Sequence, residues 1–179
     1  MSNSTKNITK NINGDTRKSD ATKKSKVVHG NHNGGGLYAA YGSNLSVSQM
    51  SYRCPDAKII GTGKIMDYKL VFRLHADIEP NTGSYVPVLI WRISGADEKW
   101  LDKYEGVKGG YYHQEEISVV MDDGKELVAM VYIMNSQDTV SPPDDLYYKI
   151  IEDGYEHFGF DKKILETALN ESIERNKIG

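Results

Sequence analysis

The chain of 179 residues carries a single cysteine, Cys54. One thiol excludes an intrachain disulfide framework and points to a reducing compartment. No apolar run approaches the roughly 18 residues that cross a bilayer, and the N-terminus lacks the apolar stretch of a secretory signal. A soluble cytoplasmic protein with no membrane partner is expected, in which the sequons at Asn3 and Asn7 go unused. Aromatic residues are missing altogether from residues 1–36. There is no Cys/His spacing for zinc, no Gly-x-Ser-x-Gly elbow and no P-loop Gly-Lys-Ser/Thr. His75, His113 and His157 stand singly and read as structural.

Charge divides the chain. Residues 1–36 hold seven Lys/Arg and two acids, so the remainder holds 15 basic and 23 acidic residues within the overall net charge of −3. A strongly acidic remainder excludes a basic folded core built to hold nucleic acid. The first segment is rich in Asn, Ser, Thr, Lys and Gly, and it cannot bury enough apolar surface to offset its ordering entropy. It is expected to be a disordered basic tail with a Gly34-Gly35-Gly36 joint, or else a basic arm that touches nucleic acid or an acidic partner. His29 and His32 within it lack the acids or cysteines of a metal site. Residues 37–179 form the expected domain, large enough to bury about two-thirds of its unfolded surface without a staple.

Within that domain, Leu37–Tyr41 reads as a strand ending in a Gly turn, followed by a short helix Val47–Arg53 capped by Ser46. Ala57–Asp67, Lys69–Leu74, Val86–Ile93, Tyr111–Met121 and Glu126–Met134 read as further strands, the last two joined at Asp122-Asp123-Gly124. Ser94 with Asp97 resembles a capping box for a helix Gly95–Glu105. Asp144 and Asp145 open a second helix after Pro142-Pro143, with Tyr147, Ile151, Tyr155 and Phe158 at helical spacing and Gly159 as its stop. A last helix starts near Asp161. Strands outnumber helices without strict alternation. The expected class is therefore α+β, a mixed sheet or barrel with flanking helices, rather than a doubly wound fold.

Two places stand out chemically. In the helix Gly95–Glu105, Ala96, Trp100, Leu101 and Tyr104 are expected to form one buried stripe. Glu105 follows Leu101 by four residues and so continues the apolar face, in the last turn of the helix. Burial and the negative end of the helix dipole both disfavour its charge. That makes it a candidate general acid/base near neutral pH, the alternative being a partly exposed Glu at a frayed end. The turn Tyr41-Gly42-Ser43-Asn44, between strand and helix, is a candidate backbone anion site for a carboxylate or oxyanion, the alternative being an ordinary tight turn.

These two pieces, Tyr41-Gly42-Ser43-Asn44 and Leu101-Asp102-Lys103-Tyr104-Glu105-Gly106-Val107, together resemble the γ-glutamylcyclotransferase superfamily, also called the AIG2-like family. Arg53-Cys54-Pro55-Asp56-Ala57 matches a family R-x-P-x-A segment. Asp67, Tyr68, Leu70 and Phe72 match its D-Y-x-L-x-F pattern, and Val86–Trp91, Gly110-Tyr111-Tyr112 and Ala129–Ile133 follow in family order. The resemblance, from about Leu37 to Phe158, implies a small mixed β-barrel of about five to seven strands with flanking helices and one cavity. It implies cyclisation of a γ-glutamyl amino acid or amine to 5-oxoproline with release of a free amine, an acyl transfer by lyase-type ring closure, using no metal and no organic cofactor. The implied catalytic residue is Glu105. The implied substrate-binding residues are Tyr38, Ala39, Ala40, Tyr41, Gly42, Ser43, Asn44 and Tyr147, with Tyr148 an alternative to Tyr147. A non-catalytic binding module of the same fold is the competing reading. Partners are then a small γ-glutamyl substrate and no nucleic acid, with monomer and homodimer both open.

Three departures from the family pattern bear on the leaving amine. Val88 stands where Gly is usual and would narrow the cavity. Asp77, in Ala76-Asp77-Ile78, would favour a cationic leaving group or else face solvent. Tyr41-Gly42-Ser43-Asn44 matches neither the Y-G-T-L of γ-glutamylamine cyclotransferases nor the Y-G-S-L of glutathione-specific relatives.

Overall fold

A computed structural model describes residue 1, residues 35–136 and residues 140–177. The readings made for residues 2–34, including Asn3, Asn7, His29, His32 and the basic arm, lie outside the described residues. Five strands form a closed barrel: β1 (Leu37–Ala40), β2 (Lys58–Arg73), β3 (His75–Arg92), β4 (Tyr112–Met121) and β5 (Glu126–Met134), in the order β1-β3-β2-β4-β5. All neighbours are antiparallel except β1 and β5, which pair in parallel at Tyr38 and Met130 and close the barrel. The expected α+β class and mixed barrel therefore hold, with five strands.

Strands β2 and β3 differ from expectation. Ala57–Asp67 and Lys69–Leu74 are one strand, interrupted by a bulge at Asp67, whose φ is +60°. The Asp67 carboxylate accepts from the Gly83 N–H at 2.9 Å, which stabilises the irregular pairing there. The strand expected at Val86–Ile93 begins at His75. Its polar first half reads locally as a turn. It is held extended by the ladder from Arg73↔His75 to Tyr68↔Pro80.

Four helices flank the barrel: α1 (Val47–Arg53), α2 (Gly95–Tyr104), α3 (Asp145–Phe158) and α4 (Lys162–Asn176). Their starts follow the expected chemistry. Ser46, Asp144 and Asp161 cap α1, α3 and α4, and Ser94 with Asp97 forms a complete capping box on α2. Gly159 ends α3 in the left-handed conformation. Among the described residues no helix is long and apolar enough to cross a membrane.

The core fills the barrel, with Ile65, Phe72, Ile78, Val86, Leu89 and Ile90 fully buried. Val88 belongs to this core. Helix α3 seats the loop after β1. A Cβ on Gly154 would lie 2.6 Å from Leu45 Cβ, so only glycine admits this close approach. Loop and helix are thereby brought together over one end of the barrel.

The α2 stripe is not as expected. Leu101 is fully buried, but Ala96 is exposed, Trp100 is 59% exposed and Tyr104 54% exposed. Helix α2 is short and packs through one narrow ridge, Asp97 and Leu101, that leads to Glu105. Lys103 and Arg53 lie over the exposed rings of Trp100 and Tyr104 instead.

Candidate active site

Two adjoining cavities lie at the barrel end closed by the β1–α1 loop, α2 and the start of α3. The inner chamber, about 30 Å³, is lined by Tyr38, Tyr41, Gly42, Ser43, Asn44, Ala76, Glu105, Tyr112, Tyr132 and Tyr147. The outer cleft, about 740 Å³, shares Ser43, Glu105, Tyr112 and Tyr147 with it. Glu105 therefore stands at the boundary of the two. It is the C-cap of α2, its N–H bonded to the Leu101 carbonyl at 2.7 Å, and it is partly buried. Gly106 follows at φ +67°, the left-handed conformation that favours glycine, and leads into the loop that lines the outer cleft.

Burial pushes the Glu105 carboxyl up from its ordinary value to about 7, against an Asn44 hydrogen bond and the Arg53 charge, which both pull it down. The same carboxyl is thus available as base and as acid near neutral pH. Asn44 is the residue that touches it: its Nδ2 donates to Glu105 Oε1 at 3.0 Å and to the Tyr38 hydroxyl at 2.8 Å. The orientation of that amide is enforced. Arg53 can only donate, and its guanidinium meets Asn44 Oδ1 at 2.6 Å, which leaves the NH2 end for Glu105. Arg53 also reaches Ser43 Oγ at 3.4 Å, stacks 3.7 Å over the Tyr104 ring and donates to the Tyr104 hydroxyl. The indole N–H of Trp91 holds the Asn44 carbonyl at 3.1 Å. Asn44 is thereby gripped at both backbone and side chain.

The tyrosines differ in what remains of their hydrogen-bonding capacity. Tyr41 donates to the Tyr132 carbonyl at 2.6 Å, Tyr112 to the Ala76 carbonyl at 2.8 Å and Tyr132 to Asp102 at 2.8 Å. Their protons are spent. Tyr38 and Tyr147 instead accept: Tyr38 from Asn44, and Tyr147 from the Ala76 N–H at 3.1 Å and from the Ser43 backbone. Among the described residues no acceptor takes their hydroxyl protons, so both can donate into the chamber. Burial raises the pKa of both phenols, Tyr38 well above its ordinary value, so they stay protonated as donors.

The site residues expected from the sequence are mostly brought together. Tyr38, Tyr41, Gly42, Ser43, Asn44, Glu105 and Tyr147 line the chamber. Ala39 and Ala40 do not. They are fully buried in the β1 ladder opposite Ile90 and Leu89, where their small side chains pack within the barrel wall. Tyr148 packs against Phe72 with ring centres 6.1 Å apart, outside both cavities, whereas Tyr147 lines both. The expected backbone anion site is altered: the Ser43 backbone bonds the Tyr147 phenol, so the donor facing the chamber is a hydroxyl rather than that N–H. Asp77 neither faces solvent nor reaches the cavity. It is fully buried, pairs with Arg73 at 3.3 Å and accepts from the Met134 N–H at 3.0 Å. Val88 lines neither cavity and narrows nothing there.

Arg53, Tyr112 and Tyr132 had no role assigned from the sequence. For Arg53, the only signal was its place in a recognisable segment. Its partner Asn44 lies nine residues away, and Glu105 a further 61 from Asn44. Among the described residues no group of three or more His, Cys, Asp or Glu is placed to hold a metal ion.

Known proteins resemble this chain in sequence and in fold. A sequence model of the AIG2-like family matches residues 85–164. The chain is 33% identical to the mouse gamma-glutamylcyclotransferase over 153 residues, covering 79% of this chain and 80% of the mouse protein. The chain belongs to the γ-glutamylcyclotransferase family. The bovine gamma-glutamylcyclotransferase is 34% identical over 152 residues, covering 78% of this chain and 79% of its own. A solved structure of a gamma-glutamyl cyclotransferase superposes with a TM-score of 0.68 at 30% identity, over 74% of this chain and 85% of the other.

Proposed function

We propose that this enzyme is a γ-glutamylcyclotransferase that closes a γ-glutamyl amino acid or amine into 5-oxoproline, with Glu105 as the general acid/base. The observation that carries the mechanism is the position of Glu105: a carboxyl with a pKa of about 7 between a tyrosine chamber and an open cleft. By volume the chamber takes about two water-sized groups. The reacting carbonyl and its oxygen fit there, and the rest of the substrate extends past Glu105 and Tyr147 into the cleft.

Glu105 removes one proton from the substrate's α-ammonium. The freed amine attacks the γ-carbonyl carbon, a C–N bond forms and the carbonyl π electrons move to oxygen. Ring closure is intramolecular, so holding the folded conformer supplies much of the acceleration. The developing oxyanion accepts from the Tyr147 hydroxyl, which two backbone groups polarise, and from Tyr38. As the old C–N bond breaks, Glu105 returns its proton to the departing nitrogen. The surplus proton on the ring nitrogen follows, so the amine leaves as an ammonium and Glu105 ends as a carboxylate. A carboxyl of ordinary pKa, roughly 4.3, would be a poor donor at that step.

The same reading makes residues 37–179 the catalytic unit and residues 1–36 an extension, and sets the protein in the cytoplasm. Cys54 takes no part in the chemistry: it is buried, and burial pushes its thiol to about 12, far from a reactive thiolate. The test is incubation with γ-glutamyl-alanine and mass-spectrometric detection of 5-oxoproline and alanine in equal amounts. Saturable binding with no 5-oxoproline would replace the enzyme by a binding module.

A further inference from the structure

We propose that the outer cleft is a leaving-group subsite for an apolar or aromatic amine, walled by Leu74, Tyr104, Tyr111 and Met134. This rests on the cyclotransferase reading and names the half of the substrate that reading leaves open. The leaving nitrogen must come within reach of Glu105. Whatever that nitrogen carries then lies in the cleft of about 740 Å³, since the chamber of about 30 Å³ is already filled by the reacting carbonyl.

The walls are apolar surface held in place without being covered. Tyr111 is 73% exposed, yet its ring is seated on the loop directly after Glu105. A Cβ on Gly106 would stand 2.9 Å from Tyr111 Cδ2, and one on Gly109 3.4 Å from it. Leu74 forms the apex of the β2–β3 hairpin, between the paired Arg73 and His75. It sits at φ +66°, where a residue with a large side chain is an outlier, and is 61% exposed. Its N–H is tied to the Ser141 carbonyl at 3.1 Å. Strain of this kind persists where the surroundings impose it, and it marks functional positions. Here it sets a leucine side chain on the cleft wall. Tyr104 is fixed by the Arg53 guanidinium 3.7 Å over its ring, and Met134 ends β5 on the same cleft.

Charge points the same way. Among the described lining residues the Asp, Glu, Lys and Arg side chains are Glu105 and Arg73. Arg73 is buried and engaged with Asp77 at 3.3 Å and Glu79 at 2.6 Å. Among the described lining residues a charged side chain on the leaving group finds no free countercharge, whereas an apolar one covers wet aromatic surface.

The experiment measures kcat/KM of the full chain for γ-glutamyl-phenylalanine, γ-glutamyl-alanine, γ-glutamyl-glutamate and γ-glutamyl-lysine by 5-oxoproline release. The phenylalanine substrate is expected to exceed the alanine one by about tenfold or more, with the glutamate and lysine substrates, whose side chains are charged, below alanine. Tyr111→Ala and Leu74→Ala, both at exposed positions, are expected to lower the phenylalanine-to-alanine ratio at least about threefold, chiefly through KM. Equal rates for all four substrates, a preference for a charged one, or an unchanged ratio in both variants overturns the subsite and leaves the cyclotransferase reading standing. Release of 5-oxoproline from none of the four removes both.

Discussion

Replacing Glu105 by Gln is expected to stabilise the folded protein at pH 8 and to do so far less at pH 5. The Glu105 carboxyl is raised from 4.5 to about 7 by burial, so between those values the folded state holds a proton that the unfolded chain has released. Stability therefore falls as pH rises through that window, and the loss is complete above about 7. A carboxyl moved from 4.5 to about 7 corresponds to about 3 kcal/mol at pH 8 and under about 1 kcal/mol at pH 5. Gln keeps the shape and the acceptor for Asn44 Nδ2 and does not titrate. Urea unfolding of both proteins at the two pH values reads the difference directly. For a domain of this size it corresponds to a rise in Tm of about 6–12 °C at pH 8. The same stability increment at both pH values, or a Gln variant less stable than the parent at pH 8, would refute a carboxyl held protonated by burial.

Asn44→Leu removes the hydrogen bond that favours the Glu105 carboxylate. The acid limb of kcat/KM against pH is then expected to move up by about one unit, since a hydrogen bond to a charged group contributes about 1.5 kcal/mol; an unmoved or lowered limb contradicts the role given to Asn44. Tyr147→Phe removes one proposed oxyanion donor and is expected to lower kcat about 100-fold or more, measured by 5-oxoproline release under saturation; a change confined to KM would assign Tyr147 to binding alone. Gly154→Ala forces a Cβ against Leu45 and is expected to cost about 1–3 kcal/mol in urea unfolding, and to lower activity in step because it displaces the loop that carries Asn44.

Local chemistry made much of this architecture legible. Ser46 and Ser94 as caps, and the acids Asp144 and Asp145 after two prolines, marked helix starts, Gly159 marked an end, and the Gly turn after Tyr41 marked where β1 delivers the loop. Glu105 was found by counting four from Leu101, and that step holds although the stripe around it does not: Trp100 and Tyr104 are apolar in composition, yet α2 buries only a ridge. The first half of β3 was illegible because Asp77, Glu79, Pro80, Asn81 and Gly83 favour turns in isolation, and only pairing along β2 makes them a strand. The Arg53–Asn44–Glu105 chain was illegible for a different reason. Its hydrogen bonds join three separate elements, and nothing in the local pattern around Arg53 states what its guanidinium will meet. Asp77 shows the same limit, since its partner Arg73 lies across a hairpin whose existence the sequence did not signal.

The central claim is that Glu105 carries protons during γ-glutamyl cyclisation. It is tested most directly by 5-oxoproline release from γ-glutamyl-alanine at pH 7, comparing the parent with Glu105→Gln under single-turnover conditions. Because Gln retains the Asn44 contact, the comparison isolates the proton carrier. The account predicts a loss of about 10²–10⁴-fold, the usual contribution of a positioned acid/base, in a protein that remains folded. A Gln variant releasing 5-oxoproline at close to the parent rate would contradict it.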